Sequence, residues 1–188
     1  MRRLPRLALV LAPVLIGGAA RADEFTDTLD SARSAYESGD VKAAGEDLAY
    51  ATKLLGSQKA AGLAKFLPPA PAGWTRTDEP AEDAGLGMAI LGGGTSAAAS
   101  YTDGTTEAKI TLTADSPMVS GLGAVFSGVS SLAGGKPLRI QRVEFGEMDG
   151  ELRGVVDGRV MVSVGGDAST EVKTGLLEAM DFNALADY

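Results

Sequence analysis

The sequence has neither cysteine nor histidine among its 188 residues. Without a thiol or an imidazole, the chain cannot support Ser-His-Asp or Cys-His catalysis, thiol redox chemistry, c-type haem attachment or the usual zinc and copper sites. Disulfide bonds cannot contribute either, so the stability of the fold must come from packing. These absences predict a non-enzymatic protein with no catalytic residues and no cofactor.

The first 22 residues lack acidic side chains and contain four arginines. Three of these arginines precede an apolar run, residues 7–16, and a small-residue stretch that ends at Ala22. This order is typical of a secretory signal peptide, with Ala20 and Ala22 as the small residues that signal peptidase requires. The run is too short to anchor the chain across roughly 30 Å of hydrocarbon. We therefore expect export to the periplasm, cleavage after Ala22 and no membrane span afterwards.

Basic charge is scarce in the rest of the chain. The formal net charge of the whole sequence is −8, and removal of residues 1–22 leaves 25 acidic and 13 basic side chains. Nucleic acids and anionic lipid surfaces need a basic patch on a protein that binds them. We therefore expect no nucleic acid as a partner; a cationic or neutral partner fits this charge better, either a protein or a small apolar ligand.

Apolar residues at three-to-four spacing predict two amphipathic helices within residues 23–66. The joint between them contains Gly39, which suits the positive φ that often ends a helix. Asp40 follows and can accept hydrogen bonds from the open amides of the second helix. The pattern therefore predicts a tight helical hairpin.

The segment AYESGDVKAAGEDLAYATKLL is similar to one tetratricopeptide unit. Its aromatic, turn and small positions are occupied by Tyr36, Gly39, Ala44, Leu48 and Ala51. A single copy favours packing on the rest of the protein over a repeat array, in which each unit buries its faces on neighbours. The hairpin is one candidate surface for protein contact, and Tyr36 and Tyr50 are its candidate residues.

Residues 67–85 contain several prolines and acidic side chains and predict a stiff connector. Trp74, the only tryptophan, is expected to fill the seam between the hairpin and the following domain, or alternatively to stack on a ligand. Four acidic side chains are candidate calcium ligands: Asp78, Glu79, Glu82 and Asp83. The alternation of an EF-hand loop is missing, so solvated carboxylates are favoured over a metal site.

A glycine-rich segment, GLGMAILGGGTSAAASY, covers residues 85–101. A phosphate-binding loop would lead from the glycines into a helix N-terminus, usually with a lysine. Here Gly92, Gly93 and Gly94 precede another strand pattern, so we expect a flexible link between two weak strands. A loop that gates a ligand site is the alternative hypothesis.

From residue 86 onward the apolar pattern changes to a period of two, which predicts an antiparallel sheet with one solvated face. The alternation is clearest in residues 107–114 and 159–164. Three Asp-Gly pairs predict hairpin tips, because this dipeptide accepts positive φ angles; they lie at 103–104, 149–150 and 157–158. A change of phase around Gln141 predicts a bulge.

Two further helices are predicted. The DSP motif at residues 115–117 is typical of a helix start. The helix after it, PMVSGLGAVFSGVSSLAGG, contains internal glycines, each of which costs about 1 kcal/mol relative to alanine. Three explanations are close packing on the sheet, a helix that is movable or that lines an apolar pocket with Leu122 and Phe126, and a membrane-inserting segment. The second helix is predicted to begin near Ser169 and to restart near Asp181.

The order of these elements predicts an α+β protein: an N-terminal helical hairpin followed by a mainly antiparallel sheet with two packing helices, like an α/β/α sandwich. The expected segments are a signal peptide at 1–22, the hairpin at 23–66, the connector at 67–85 and an α+β domain at 86–188. The LPPAPAGW entry, the DSP helix start and the final meander and helix resemble the Mog1/PsbP-like group of exported bacterial proteins over residues 69–188. The resemblance implies a binding or assembly-factor role and transfers no catalytic residue.

These patterns favour a soluble periplasmic binding or accessory protein that acts through a protein partner or an apolar ligand. The alternatives are a hydrolase that uses carboxylates and a calcium-binding periplasmic protein. Sugar hydrolysis is disfavoured because the chain has only ten aromatic residues with which to stack sugars.

Overall fold

A computed structural model describes residues 23–80, 93–117, 119 and 138–188. Within these residues a pair of helices is followed by an antiparallel sheet and two C-terminal helices, which confirms the α+β class. The chain divides into two compact units, residues 1–48 and residues 49–188.

The described part of the first unit contains helix α1, which spans Glu24–Glu37, and the beginning of helix α2, which spans Val41–Ala64. Gly39 has a φ of +87° in the turn between them, a conformation that favours glycine. The Asp40 carboxylate accepts a hydrogen bond from the Ala43 amide at 3.0 Å and so caps the start of α2. The predicted hairpin and its two turn residues are therefore confirmed.

The described residues of the second unit contain a seven-stranded sheet. Its strands are β1 (Thr75–Asp78), β2 (Thr95–Thr102), β3 (Glu107–Ala114), β4 (Leu138–Ile140), β5 (Val143–Met148), β6 (Glu151–Val156) and β7 (Val160–Gly165). Every pairing is antiparallel, and the order across the sheet is β1-β2-β3-β7-β6-β5-β4. Strand β1 lies inside residues 67–85, the segment in which the sequence predicted only a connector.

All three Asp-Gly pairs lie at hairpin tips, as predicted. The pair at 149–150 is a two-residue turn between β5 and β6, with φ angles of +53° and +77°. The pair at 157–158 turns the chain from β6 into β7, and the pair at 103–104 turns it from β2 into β3. Both residues have positive φ at 149–150 and at 157–158, as tight hairpins require, whereas at 103–104 only the glycine does.

The bulge predicted at Gln141 is wrong, because this residue lies in a fourth hairpin turn. Gln141 and Arg142 both have positive φ, and Ile140 pairs with Val143 across the turn between β4 and β5. The Gln141 amide donates hydrogen bonds to two carbonyl oxygens near the end of the next helix, at 2.9 and 2.7 Å. A two-residue turn shifts the alternation of apolar residues along the chain, as a bulge does. Because this turn contains no glycine, the sequence did not indicate a turn.

Two C-terminal helices follow the sheet. Helix α3 spans Thr170–Glu178 with Ser169 as its N-cap, and helix α4 spans Phe182–Ala186 with Asp181 as its N-cap. The predicted start and restart are both confirmed. Of the other predicted helix, Pro117 and Val119 are helical, whereas Leu122, Phe126 and the rest of its segment lie outside the described residues.

One face of the sheet forms the core of the second unit. Its alternating positions on β3 and β7 are fully or almost fully buried: Ala108, Ile110, Leu112, Ala114, Val160, Val162 and Val164. The same core cluster includes Leu63 near the end of α2, Leu176 and Leu177 of α3, and Leu185 of α4. The predicted period of two therefore identifies the buried face of the two central strands.

A buried lysine joins two loops of this unit. The Lys173 side chain on α3 is only 5% exposed, and its Nζ donates hydrogen bonds to the carbonyl oxygens of Gly150 and Gly166, both at 2.7 Å. A buried ammonium group is costly unless it is hydrogen-bonded, so these contacts hold the two loops against the helix.

We expect Lys173→Met to lower the free energy of unfolding by about 2 kcal/mol, because two carbonyl groups lose a charged donor that methionine cannot replace. Urea denaturation monitored by circular dichroism measures the change. The exposed Lys65, changed to methionine, is the matched control and should leave stability almost unaltered. Equal stability of Lys173→Met and the unaltered protein would contradict a stabilising role for these bonds.

Candidate functional site

Trp74 is a half-buried residue that packs against the core cluster of the second unit. Its backbone amide donates to the Pro71 carbonyl oxygen at 3.0 Å, which closes a turn just before β1. Trp74 therefore packs within the second unit, and its predicted role at the seam between the hairpin and the following domain stays a prediction. Ligand stacking by Trp74 stays an untested alternative.

Of the four acidic side chains predicted as calcium ligands, the two that the structure describes are each paired with a basic side chain. Asp78 Oδ1 lies 2.6 Å from Arg76 Nε, and Glu79 Oε1 lies 2.7 Å from Lys109 Nζ. No group of three or more acidic metal ligands occurs within the part of the chain that the structure describes. The two remaining candidates, Glu82 and Asp83, lie outside the described residues.

A polar cluster lies on the sheet face opposite the core. The hydroxyl oxygen of Ser100 lies 3.1 Å from Glu107 Oε1 and 3.4 Å from Glu79 Oε1. Lys109 is the direct cross-strand neighbour of Ser100 and forms the ion pair with Glu79. The pairing of β1, β2 and β3 thus brings together two carboxylates, a hydroxyl and an ammonium group.

The pairing of neighbouring strands is sufficient to explain why these polar side chains lie together. Cross-strand pairs of opposite charge stabilise neighbouring strands, and the Ser100 proton can be donated to either carboxylate. The alternation of residues 107–114 placed Glu107 and Lys109 on one face, but sequence reasoning missed the ion pair of Lys109 with Glu79 because it missed β1.

The glycines before β2 are described only in part. Gly93 and Gly94 have φ angles of +98° and +123°, and Gly92 lies outside the described residues. A side chain on Gly93 would meet open space, so its backbone conformation is the reason for glycine there. The gating hypothesis for this segment stays a prediction.

An open groove of about 500 Å³ lies in the second unit beside the end of the chain; Leu55, Lys59, Asp115 and Tyr188 contribute to its lining. Asp115 pairs with Arg159 at 3.2 Å and with Lys59 at 4.0 Å, so the charges of this groove are matched within the protein. The Tyr188 hydroxyl donates to the Lys59 carbonyl oxygen at 2.9 Å, and burial raises the pKa of Tyr188. The charged side chains of the groove and the Tyr188 hydroxyl are therefore engaged within the protein.

The first unit presents large apolar side chains on its surface. Within residues 23–48 these are Leu29, Tyr36, Val41 and Leu48. The buried residues there are the alanines at positions 32 and 44, and the Ser31 hydroxyl donates to Asp47 at 2.7 Å to join α1 and α2. The small residues of the tetratricopeptide-like pattern are thus buried, while its aromatic residue and its leucine face the solvent.

Over the whole described chain, the exposed large apolar side chains are concentrated at the N-terminal end. Besides the four in the first unit, Tyr50 and Leu55 of α2 and Met148 of β5 are exposed. Tyr36 and Tyr50, the two residues predicted for protein contact, both belong to this set. The surface of residues 23–48 is therefore the strongest candidate for a binding site.

No family model matches this sequence, and searches of curated proteins and of solved structures also found no match. The Mog1/PsbP-like and tetratricopeptide resemblances accordingly stay predictions. Among the described residues, no helix is both long enough and apolar enough to cross a membrane.

Proposed function

We propose that this chain is an exported, non-enzymatic binding or accessory protein that contacts a protein partner through residues 23–48. The observation that carries the proposal is the concentration of exposed large apolar side chains on α1 and the beginning of α2. Exposed apolar residues that lie together often mark an interaction surface, and tyrosine is enriched among the residues that dominate binding. The absence of cysteine and histidine supports binding over catalysis.

The proposal is tested by placing a photo-crosslinking amino acid at Tyr36 and, in a second variant, at Met148. Both side chains are large, apolar and exposed, at 68% and 44%, but Met148 belongs to the sheet. We expect the Tyr36 variant to capture one defined protein in living cells, in the periplasmic fraction, and the Met148 variant to capture far less of it. Mass spectrometry of the adducts identifies the captured protein.

Three results would count against the proposed function. Equal capture from both positions would show that contact through residues 23–48 is not specific. Retention of the protein in the cytoplasm would contradict export. Turnover of a substrate by the purified protein, abolished by replacing one carboxylate or hydroxyl, would show that the protein is an enzyme.

A further inference from the structure

The first unit carries an unusual density of negative charge. Residues 23–48 contain eight acidic and two basic side chains, a net charge of −6 in 26 residues. Residues 49–188 have the same net charge of −6 spread over 140 residues. The segment with the exposed apolar side chains is therefore also the most acidic part of the chain that follows residue 22.

The two basic side chains of this segment are already used within it. Arg33 pairs with Asp30 at 3.1 Å and Lys42 pairs with Glu46 at 3.8 Å, each along its own helix. The negative excess is therefore not neutralised by residues 23–48 themselves, and a cationic group from outside would meet a favourable field.

Apolar surface and negative charge meet at the turn between α1 and α2. Tyr36 and Val41, which are 68% and 66% exposed, flank this turn and are the two most exposed large apolar side chains of the described chain. Glu37 directly follows the tyrosine and Asp40 directly precedes the valine, and both acidic residues are exposed. We call residues 36–41 the hairpin tip.

The charge of this surface selects among possible occupants. A second copy of the chain would bring a net −6 against a net −6, and like charges placed together across an interface cost several kcal/mol. Anionic lipid and nucleic acid are repelled for the same reason. The partner should therefore offer apolar side chains to Tyr36 and Val41, with lysine or arginine beside them for the carboxylates.

We infer that the hairpin tip binds a basic, amphipathic segment of another protein, in which apolar residues are flanked by lysine or arginine. This inference rests on the proposed function and specifies the chemistry of the partner. Apolar contact supplies the binding energy, and opposite charge supplies the rate of association and the choice of partner.

The test measures binding of short synthetic helical peptides to the purified chain by isothermal titration calorimetry. The probe is a peptide of leucine and lysine; one control replaces lysine by glutamate, and another replaces leucine by serine. We expect clear binding only for the leucine–lysine peptide, and a loss of affinity when salt is raised from roughly 0.1 to 1 M, because salt screens the charge pairs.

Variants locate the binding to the hairpin tip. Tyr36→Ser and Val41→Ser should each weaken binding of the leucine–lysine peptide about tenfold, whereas Met148→Ser should leave it unchanged. Glu37→Lys should weaken it and also reduce its dependence on salt. Because these side chains are exposed, urea denaturation should show that all variants stay folded.

The outcomes separate this inference from the proposed function. Equal affinity of Tyr36→Ser and the unaltered protein, binding of the glutamate peptide, or self-association seen by analytical ultracentrifugation would overturn the basic, amphipathic partner. If the photo-crosslinker at position 36 still captures one defined protein, the proposed function survives such a result. If that capture also fails, both proposals fall.

Discussion

Gly166→Ala is expected to lower the free energy of unfolding by about 4 kcal/mol, because both the space and the backbone conformation at this position exclude a side chain. Gly166 has a φ of +97°, and a Cβ atom there would overlap the carbonyl oxygen of Glu107 and lie 3.0 Å from Ala108 Cα. Both obstacles are backbone atoms of β3, and that carbonyl oxygen also accepts the Ala168 amide at 2.9 Å. The loop after β7 would have to leave the sheet to relieve the overlap.

Gly158→Ala is the matched control for this effect. Gly158 also has a positive φ, +67°, but a Cβ atom there would have no neighbour within 4 Å. This change should cost only about 1 kcal/mol, from backbone strain alone. Urea denaturation of both variants measures the difference, and equal losses would show that close approach to Glu107 does not matter.

Alkaline pH is expected to destabilise the protein through Tyr101. Burial raises the pKa of Tyr101 from 10.0 to about 12, and its hydroxyl donates to the Pro68 carbonyl oxygen at 2.7 Å. The folded state therefore holds this proton more tightly than the unfolded state does. The stabilisation is complete below pH 10 and is lost as the pH rises from 10 to 12, by roughly 3 kcal/mol in all.

Tyr101→Phe separates this proton from other alkaline effects. The variant should lose about 1 kcal/mol at neutral pH with the hydrogen bond to Pro68, and it should lack the part of the pH dependence due to Tyr101. Denaturant titrations at a series of pH values from neutral to about 12 measure both quantities. The same slope in both proteins would rule out Tyr101 as the source of the alkaline sensitivity.

Local patterns predicted much of the fold correctly because the interactions behind them act over a few residues. Asp40, Ser169 and Asp181 each cap a helix through an amide within three positions along the chain. The Asp-Gly turns at 149–150 and 157–158 depend only on the conformational preferences of the two residues. These elements could be placed without knowledge of what they pack against.

Two errors of prediction arose where a non-local interaction outweighs local preference. Strand β1 has no clear alternation, and it is a strand because Thr75–Asp78 pairs with β2. The turn at Gln141 and Arg142 lacks the usual glycine, and hydrogen bonds from Gln141 to carbonyl oxygens at Glu178 and Met180 hold it in place. Neither partner is near in sequence, so neither feature is visible in a local pattern.

The sequence predicted the hairpin and Tyr36 as a candidate contact surface, but it did not predict which apolar side chains of the hairpin are exposed. Composition alone removed thiol and imidazole chemistry and showed the acidity of residues 23–48. The tetratricopeptide-like pattern, however, contains Tyr36, Ala44 and Leu48 without indicating which of them are buried. Only the packing of the helices decided that the alanine is buried and that the two larger side chains are exposed.

The sequence by itself determined the chemistry that is closed to this protein, the capping residues of three helices, the three Asp-Gly hairpin turns, and the alternating buried face of β3 and β7. Tertiary structure alone decided the strand order, the contact of Glu79 with Lys109, and which apolar side chains remain on the surface. The physical reason is the separation along the chain over which each interaction acts. Charge, helix caps and tight turns act within a few residues, whereas burial depends on distant segments that meet only when the chain is folded.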